Sequence, residues 1–362
     1  MSSAAFSIPE SSASQSLFST KWIISSREDL IWFIGSVATS YLLFVLHVYG
    51  IVPLISLVLA WAILFDAPHG FATISRTYLD REERRSRGRL LAGSLLFFLL
   101  GPAMVFAGQG LIFFLFVGLW AYYHLVKQHY GFVILYKKKN DDLLSVDNHL
   151  DKFFLMTAFS YPLAHYLAHD AEIAGQIPSY LLPILPLVSV SLLACTILVT
   201  LLWIGRQLQR FWLGLPLNAP KYLLLGAALP VHWLALLAPM PEKPLAVAAI
   251  LTIFHNIQYS RLVWFHNRKY TKGDDLSSLR ERYGAAAFIN RRLLYFVFFG
   301  LVFGALCQLP RLYFMSPAEG NTQISQIIVS FLVGAALAHY YLDSKIWRVR
   351  RDPAVGKALQ VN

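Results

Sequence analysis

Four short segments place histidine beside carboxylate, amide or phenol side chains within otherwise apolar runs. They are Asp66-Ala-Pro-His69, His124-Leu-Val-Lys127-Gln128-His129, His255-Asn256-Ile-Gln258-Tyr259 and His339-Tyr-Tyr-Leu-Asp343. Imidazoles and carboxylates bind first-row transition metals, and ionisable groups inside a membrane are costly and usually functional. The segments therefore predict a metal centre with the following candidate ligands: Asp66, His69, His124, His129, His255, His339 and Asp343.

Depth and spacing within each helix support a shared centre. One histidine in each segment precedes the next basic residue by six to eight positions. At 1.5 Å per residue, that spacing places all four roughly 9–12 Å inside the same membrane face. His339 and Asp343 are four residues apart, so both can face one point. His124 and His129 are about 140° apart on a regular helix, so only one faces inward unless a π-bulge intervenes.

Other polar residues near the centre are assigned supporting or catalytic roles. Lys127, Tyr259 and Gln258 are the candidate catalytic residues. Lys127 would neutralise a carboxylate or hold substrate, whereas Gln258, Tyr259 and Asn256 would fix imidazole tautomers. His266 shares the helical stripe of Tyr259 but lies about three turns nearer the rim, where it is either a ligand or a rim residue.

The remaining histidines have other interpretations. His165 and His169 form an HxxxH pair at the opposite end of their helix, which is either a separate outer metal site or a polar helix end. His47 and His232 are expected to make hydrogen bonds between helices. His149, beside acidic and basic neighbours, is expected at the membrane rim.

The elements that must position these residues are transmembrane helices. Of 362 residues, 57% are hydrophobic and 14% charged, with a mean hydropathy of +0.53. Soluble proteins carry about 25% charged residues, so an ordinary soluble protein is excluded. Two cysteines exclude a disulfide scaffold. Runs long enough to span a bilayer predict an all-α bundle of about ten helices: 30–49, 51–75, 90–107, 109–135, 153–168, 181–204, 222–239, 245–265, 293–308 and 323–342.

Basic residues predict the orientation of the bundle. The connections on one side, together with the two tails, carry 28 of the 31 Lys and Arg residues, which places both termini in the cytoplasm. A multi-pass protein of a bacterial-type cytoplasmic membrane is expected, with lipid headgroups rather than nucleic acid as the partner of this charge. A mobile Ser-rich tail is predicted over 1–28, one bundle over 29–344 with a cytoplasmic helix near 274–290, and a basic tail over 345–362.

Clustered intramembrane histidines near the cytoplasmic face resemble those of the histidine-box membrane di-iron enzymes. That class includes desaturases, alkane and fatty-acid hydroxylases and carotenoid-cleaving oxygenases. The resemblance covers the four segments and implies iron, dioxygen and a long apolar substrate. The paired HxxHH boxes of desaturases are absent from this chain.

The expected function is therefore metal-dependent oxidation of a lipophilic substrate, with an electron donor as a further partner. Iron, as one ion or two, is the first expectation, and zinc or non-covalently bound haem are the alternatives. A transporter or ion carrier would use the same residues as an ion path. A metal-dependent hydrolase or lipid transferase would use the same site without dioxygen.

Overall fold

The computed structural model describes residues 16–271, 275–315, 322–349 and 352–360. Each of the ten apolar runs coincides over most of its length with one long helix, so the predicted all-α class is confirmed. In chain order the helices are α1 (Ser26–Val48), α2 (Leu54–Arg76), α3 (Arg81–Phe106), α4 (Gly110–Lys139), α5 (Ser145–His169), α6 (Leu185–Trp212), α7 (Ala219–Leu237), α8 (Lys243–His266), α9 (Leu293–Phe314) and α10 (Gln323–Ile346).

Eight of the ten helices are long and apolar enough to cross a membrane. The exceptions are α5 and α8, which have the length but not the composition. Polar residues explain the difference, because α5 begins with charged side chains and α8 carries the predicted segment from His255 to Tyr259. The chain is a multi-pass membrane protein, and ten spans with cytoplasmic termini stay a prediction.

Short elements connect the long helices. Strands β1 (Phe18–Ser19) and β2 (Leu217–Asn218) pair in parallel. The cytoplasmic helix expected near 274–290 is two helices, Leu276–Tyr283 and Ala285–Ile289, separated by Gly284 at a φ of +69°. Residue 274 lies outside the described residues. Further short helices are Ala171–Ala174, Asn267–Tyr270 and Pro353–Ala358.

The described parts of both predicted tails are packed against the bundle. The Asp29 carboxylate accepts hydrogen bonds from the amides of Ile23 and Ile24 at 2.7 and 3.0 Å. Near the other terminus, Val355 and Leu359 are buried in the main apolar core. The rest of the tail predictions, at 1–15, 350–351 and 361–362, lies outside the described residues.

Helix α2 contains a π-helical turn, Ala62–Asp66, which ends at the first residue of the predicted ligand segment Asp66–His69. Pro68 follows it and has no N–H to donate to the preceding turn, which favours irregular geometry there. Helix α9 packs closely over this turn, because a Cβ on Gly304 would lie 2.6 Å from the carbonyl oxygen of Ile63. In α4, by contrast, the helix is regular from Gly110 to Lys139, without the bulge that would turn both of its histidines inward.

A buried network of charges joins the ends of α4, α5, α6 and α7. Its basic members were expected to contact lipid headgroups, but in the structure they pair with aspartates. Arg210 lies 2.7 Å from Asp142, and Lys221 lies 3.1 Å from Asp151. The members of the network are Lys137, Arg206, Arg210 and Lys221 with Asp142, Asp147 and Asp151.

Candidate metal centre

Four histidines from four helices line one cavity of about 80 Å³. They are His69 on α2, His124 on α4, His255 on α8 and His339 on α10. All four are buried, and ring nitrogens of His69, His124 and His339 lie within 4.8 Å of one another. The His255 ring centroid is 4.8 Å from that of His69 and 5.3 Å from that of His124. The arrangement offers three imidazoles to one point, with a fourth beside them.

His339 is held by a hydrogen-bonded group behind its ring. Thr73 Oγ1 lies 2.8 Å from His339 Nδ1 and donates to Asp343 Oδ1 at 2.8 Å. Because the single threonine proton goes to the carboxylate, the oxygen accepts a hydrogen bond from His339 Nδ1–H. That tautomer leaves a lone pair on Nε2, which faces the cavity. Tyr259 Oη donates to the same carboxylate oxygen at 2.7 Å.

The nitrogen atoms at the cavity suit a metal ion. His69 Nε2 and His339 Nε2 are 2.7 Å apart, so they share one proton that an ion would displace. Among the described residues, His124 Nε2, His69 Nδ1 and His255 Nδ1 are buried with no hydrogen-bond partner. Buried polar atoms normally find partners, so unpartnered imidazole nitrogens around one cavity fit the donor set of a transition metal.

The two predicted carboxylate ligands lie at different places. Asp343 stands behind His339, with Oδ1 3.6 Å from Nδ1, and therefore supports the ligand instead of facing the cavity. Asp66 lines the cavity, where Gln308 donates to its carboxylate at 3.0 Å, and Arg311 is nearby. Asn256 lines the same cavity. The structure thus separates an imidazole cluster from an acid at its edge.

Of the two histidines on α4, only His124 lines the cavity. His129 bonds through Nδ1 to the carbonyl oxygen of Leu125 at 2.8 Å. Its ring lies 5.7 Å from the ring of His232 and 6.4 Å from that of His255. His129 and His232 therefore form a second layer of imidazole beside the cluster, as the 140° separation on a regular helix requires.

Two candidate catalytic residues do not reach the cavity. Lys127 points to the ring of Tyr130, with its ammonium 5.0 Å from the ring centroid. Gln258 donates to the carbonyl oxygen of Phe33 at 2.5 Å, which ties α8 to α1. Tyr259 does belong to the site, because its ring packs 4.5 Å from that of His69 and its hydroxyl bonds Asp343.

The other histidines lie away from the cavity. The His165 and His169 rings stack at 4.2 Å near the opposite end of the bundle. His266 is buried against Trp347, with 5.6 Å between ring centroids. His47 Nε2 lies 2.7 Å from the carbonyl oxygen of Pro241, and the exposed His149 bonds its own helix. Among the described residues, only His69, His124 and His339 form a potential metal-binding group of three or more ligands.

Comparisons with known proteins add no assignment. No family model, curated protein or solved structure matches this chain. The function is therefore inferred from the chemistry of the site itself.

Two contributors to the site were not predicted from the sequence. Thr73 is one turn from His69 on α2, at the i+4 position, but a threonine in a helix carries no signal of its own. Tyr340 stacks on His124, with ring centroids 4.5 Å apart. The signal in the sequence that could have identified Tyr340 is its position directly after His339.

Proposed function

We propose that this chain is a membrane-embedded, iron-dependent oxidoreductase that acts on a lipophilic substrate. The observation that carries the proposal is the convergence of His69, His124 and His339, from three helices, at one buried cavity. A cluster of neutral imidazoles suits iron, copper and zinc better than the hard cations magnesium and calcium. When bound, iron would supply redox chemistry with dioxygen.

The ligands of the proposed centre are His69, His124 and His339, with His255 completing the set. Thr73 and Asp343 orient His339 and keep the proton on Nδ1, so that Nε2 faces inward. Tyr259 secures the Asp343 carboxylate and packs against His69. This buttressing limits the rotation of the rings on α2 and α10.

The rest of the cavity leaves room for an apolar group. Leu125, Phe303 and Leu332 form apolar walls, and Asp66 with Gln308 supplies a polar edge. Asp66 is placed to hold a proton at its carboxylate next to the reacting group. Lys127 and Gln258 have no part in this proposal, since neither lines the cavity.

The metal dependence of the reaction provides the test. Purified protein is loaded anaerobically with Fe²⁺, with Zn²⁺ or with neither, then given a chemical reductant as electron donor, dioxygen and a membrane lipid extract. We expect dioxygen consumption and oxygenated or cleaved lipid products only with Fe²⁺, and neither in a His124→Ala variant.

Other outcomes would favour the rival functions. Lipid turnover with Zn²⁺ in the absence of dioxygen would contradict oxidation and indicate a hydrolase or transferase. Ion flux through protein-containing liposomes, together with failure to bind any metal, would indicate a transporter or ion carrier.

A further inference from the structure

A second, larger cavity adjoins the candidate metal centre. This apolar groove has a volume of about 500 Å³ and lies between α4, α5, α7 and α8. Its walls include Phe114, Leu115, Leu163, Val247 and Leu251. The volume is within the range of about 300–1,000 Å³ that is typical of small-molecule sites.

The groove and the metal-centre cavity share part of their walls. Ala121, Leu125 and Thr252 line both. Trp61 Nε1 donates to Thr252 Oγ1 at 2.9 Å, which fixes the shared wall on α8. The groove and the metal-centre cavity are therefore adjacent, and Ala121 is the smallest side chain of the wall between them.

The lining defines the chemistry of the occupant. All the described lining residues are uncharged, and the polar ones are Tyr122, Tyr166, Gln176 and Thr252. The groove extends from the cluster toward the ends of α4, α5 and α8 that are remote from the basic connections. A charged headgroup would have no partner along this wall, whereas a hydrocarbon chain fits it.

We infer that the groove holds the hydrocarbon chain of a long-chain membrane lipid, with the reacting carbon placed at the histidine cluster across the shared wall at Ala121. This inference rests on the proposed function, because it identifies the substrate class and route for that site. The reacting position then lies along the chain, away from any charged headgroup.

Gly118 provides a way to fill the groove without disturbing the metal ligands. It lines the groove on α4, and a Cβ added there would meet no atom within 4 Å. A Gly118→Phe side chain would occupy the space of the lipid chain. Ala248→Phe does the same from α8. Gly131→Phe is the matched control, since Gly131 is exposed on the same helix, has equal free space and lines neither cavity.

The experiment uses octadecanol that carries a photoactivatable diazirine near its methyl end. The full chain is irradiated with this probe in lipid nanodiscs, and adducts are mapped by mass spectrometry. Adducts on exposed residues of α6, such as Leu201, normalise for contact with bulk lipid. We expect adducts on the groove segments 111–125 and 244–252. The added phenyl ring fills the groove, so we expect the yield of these adducts to fall on the order of tenfold in Gly118→Phe and Ala248→Phe but not in Gly131→Phe.

Equal adducts in all three variants, or wild-type adducts confined to the outer lipid-facing helices, would overturn the inference. Metal content measured on the same samples separates this result from the proposed function. Unchanged adducts in variants that still bind metal would reject the groove alone. Adducts that fall as expected in protein unable to bind metal would support the groove and contradict the oxidoreductase.

Discussion

At the scale of single residues, the site depends on which nitrogen of His339 carries the proton. Thr73 and Asp343 fix that choice through two hydrogen bonds of 2.8 Å. Partners of this kind hold the ring orientation and raise the basicity of a ligand. The most informative single change therefore removes one hydrogen-bonding oxygen without touching a ligand.

Thr73→Val keeps the shape of the side chain but leaves His339 Nδ1 without its acceptor. Loss of such a partner typically lowers metal affinity by about 10–100-fold. We expect a loss of that size when Fe²⁺ affinity is measured by competition with a chelator. Thr196→Val is the control, because Thr196 is buried on α6 and bonds backbone carbonyls remote from the cavity. An equal loss of affinity in both variants would contradict a specific role for Thr73.

The sequence could predict how deep each ligand lies in the membrane, but not which side chains support it. His69, His129, His255 and His339 were placed at one level because depth along a helix follows from counting residues. On α4, however, the structure brings His124 to the cavity and not His129. The side chain that supports a ligand depends on helix rotation and tertiary contact, and counting does not give these. Thr73 and Tyr340 were therefore missed as neighbours of the site, and Gln258 bonds Phe33 instead of lining the cavity. His232 does make the expected hydrogen bond between helices, with Tyr122 Oη at 3.1 Å.

At the scale of elements, buried ion pairs determine how helices α4, α5, α6 and α7 pack against one another. Lys137 and Lys221 are fully buried, and both pair with Asp151 on α5. A buried ion is costly without its partner, so these pairs specify one arrangement of the helices. The sequence did not indicate these ion pairs, because a basic residue at a helix end usually indicates contact with lipid headgroups.

Removing one partner tests the network. Asp151→Ala would leave two buried ammonium groups with only Asp142 to share, and we expect a loss of about 3 kcal/mol in the free energy of unfolding. Lys21→Ala serves as the comparison, since the pair of Lys21 with Asp141 is largely exposed and should contribute about 0–1 kcal/mol. Denaturant unfolding in mild detergent measures both. Similar losses in the two variants would show that the buried network has no special role.

The acid dependence of stability gives an independent measurement on the same network. Asp147 lies in the first turn of α5, before the predicted span at 153–168. Burial opposes its ionisation, but hydrogen bonds from Arg206 and Arg210 outweigh that effect and lower the pKa of Asp147 below its usual 3.8. Its contribution is therefore complete above pH 3.8 and is lost as the pH falls through the lower, folded-state pKa.

We expect the free energy of unfolding of the wild type to fall steeply in this acid range. Asp147→Asn should be less stable at neutral pH and should lose less stability on acidification, because residue 147 no longer titrates. Unfolding measured across a pH series would show this. Parallel pH profiles for the two proteins would contradict the lowered pKa.

At the scale of the whole molecule, the polar centre lies within a bundle of apolar helices. Two helices fall short of a typical span composition, and one of them, α8, carries His255 and Asn256 into the centre. Polar ligands inside a membrane lower the mean hydropathy of the helix that carries them. The apolar runs therefore predicted the positions of the helices well, whereas the number of spans needs direct measurement.

Ten spans require the two ends of α8 to lie on opposite sides of the membrane. We expect a cysteine placed at exposed Glu242 to react with an impermeant maleimide from outside intact cells, and one at exposed Arg268 to react only after lysis. The background is a variant lacking Cys195 and Cys307. Labelling of both positions from the same side would contradict ten spans and the predicted orientation.

The central claim is that the histidine cluster binds a redox metal, and elemental analysis of purified protein tests it most directly. After reconstitution we predict about one or two iron ions per chain in the wild type. A folded His124→Ala variant should lose this iron, and a His47→Ala control, whose imidazole bonds Pro241 remote from the cavity, should keep it. Folded wild-type protein that takes up no metal, or full metal content in His124→Ala, would contradict the claim.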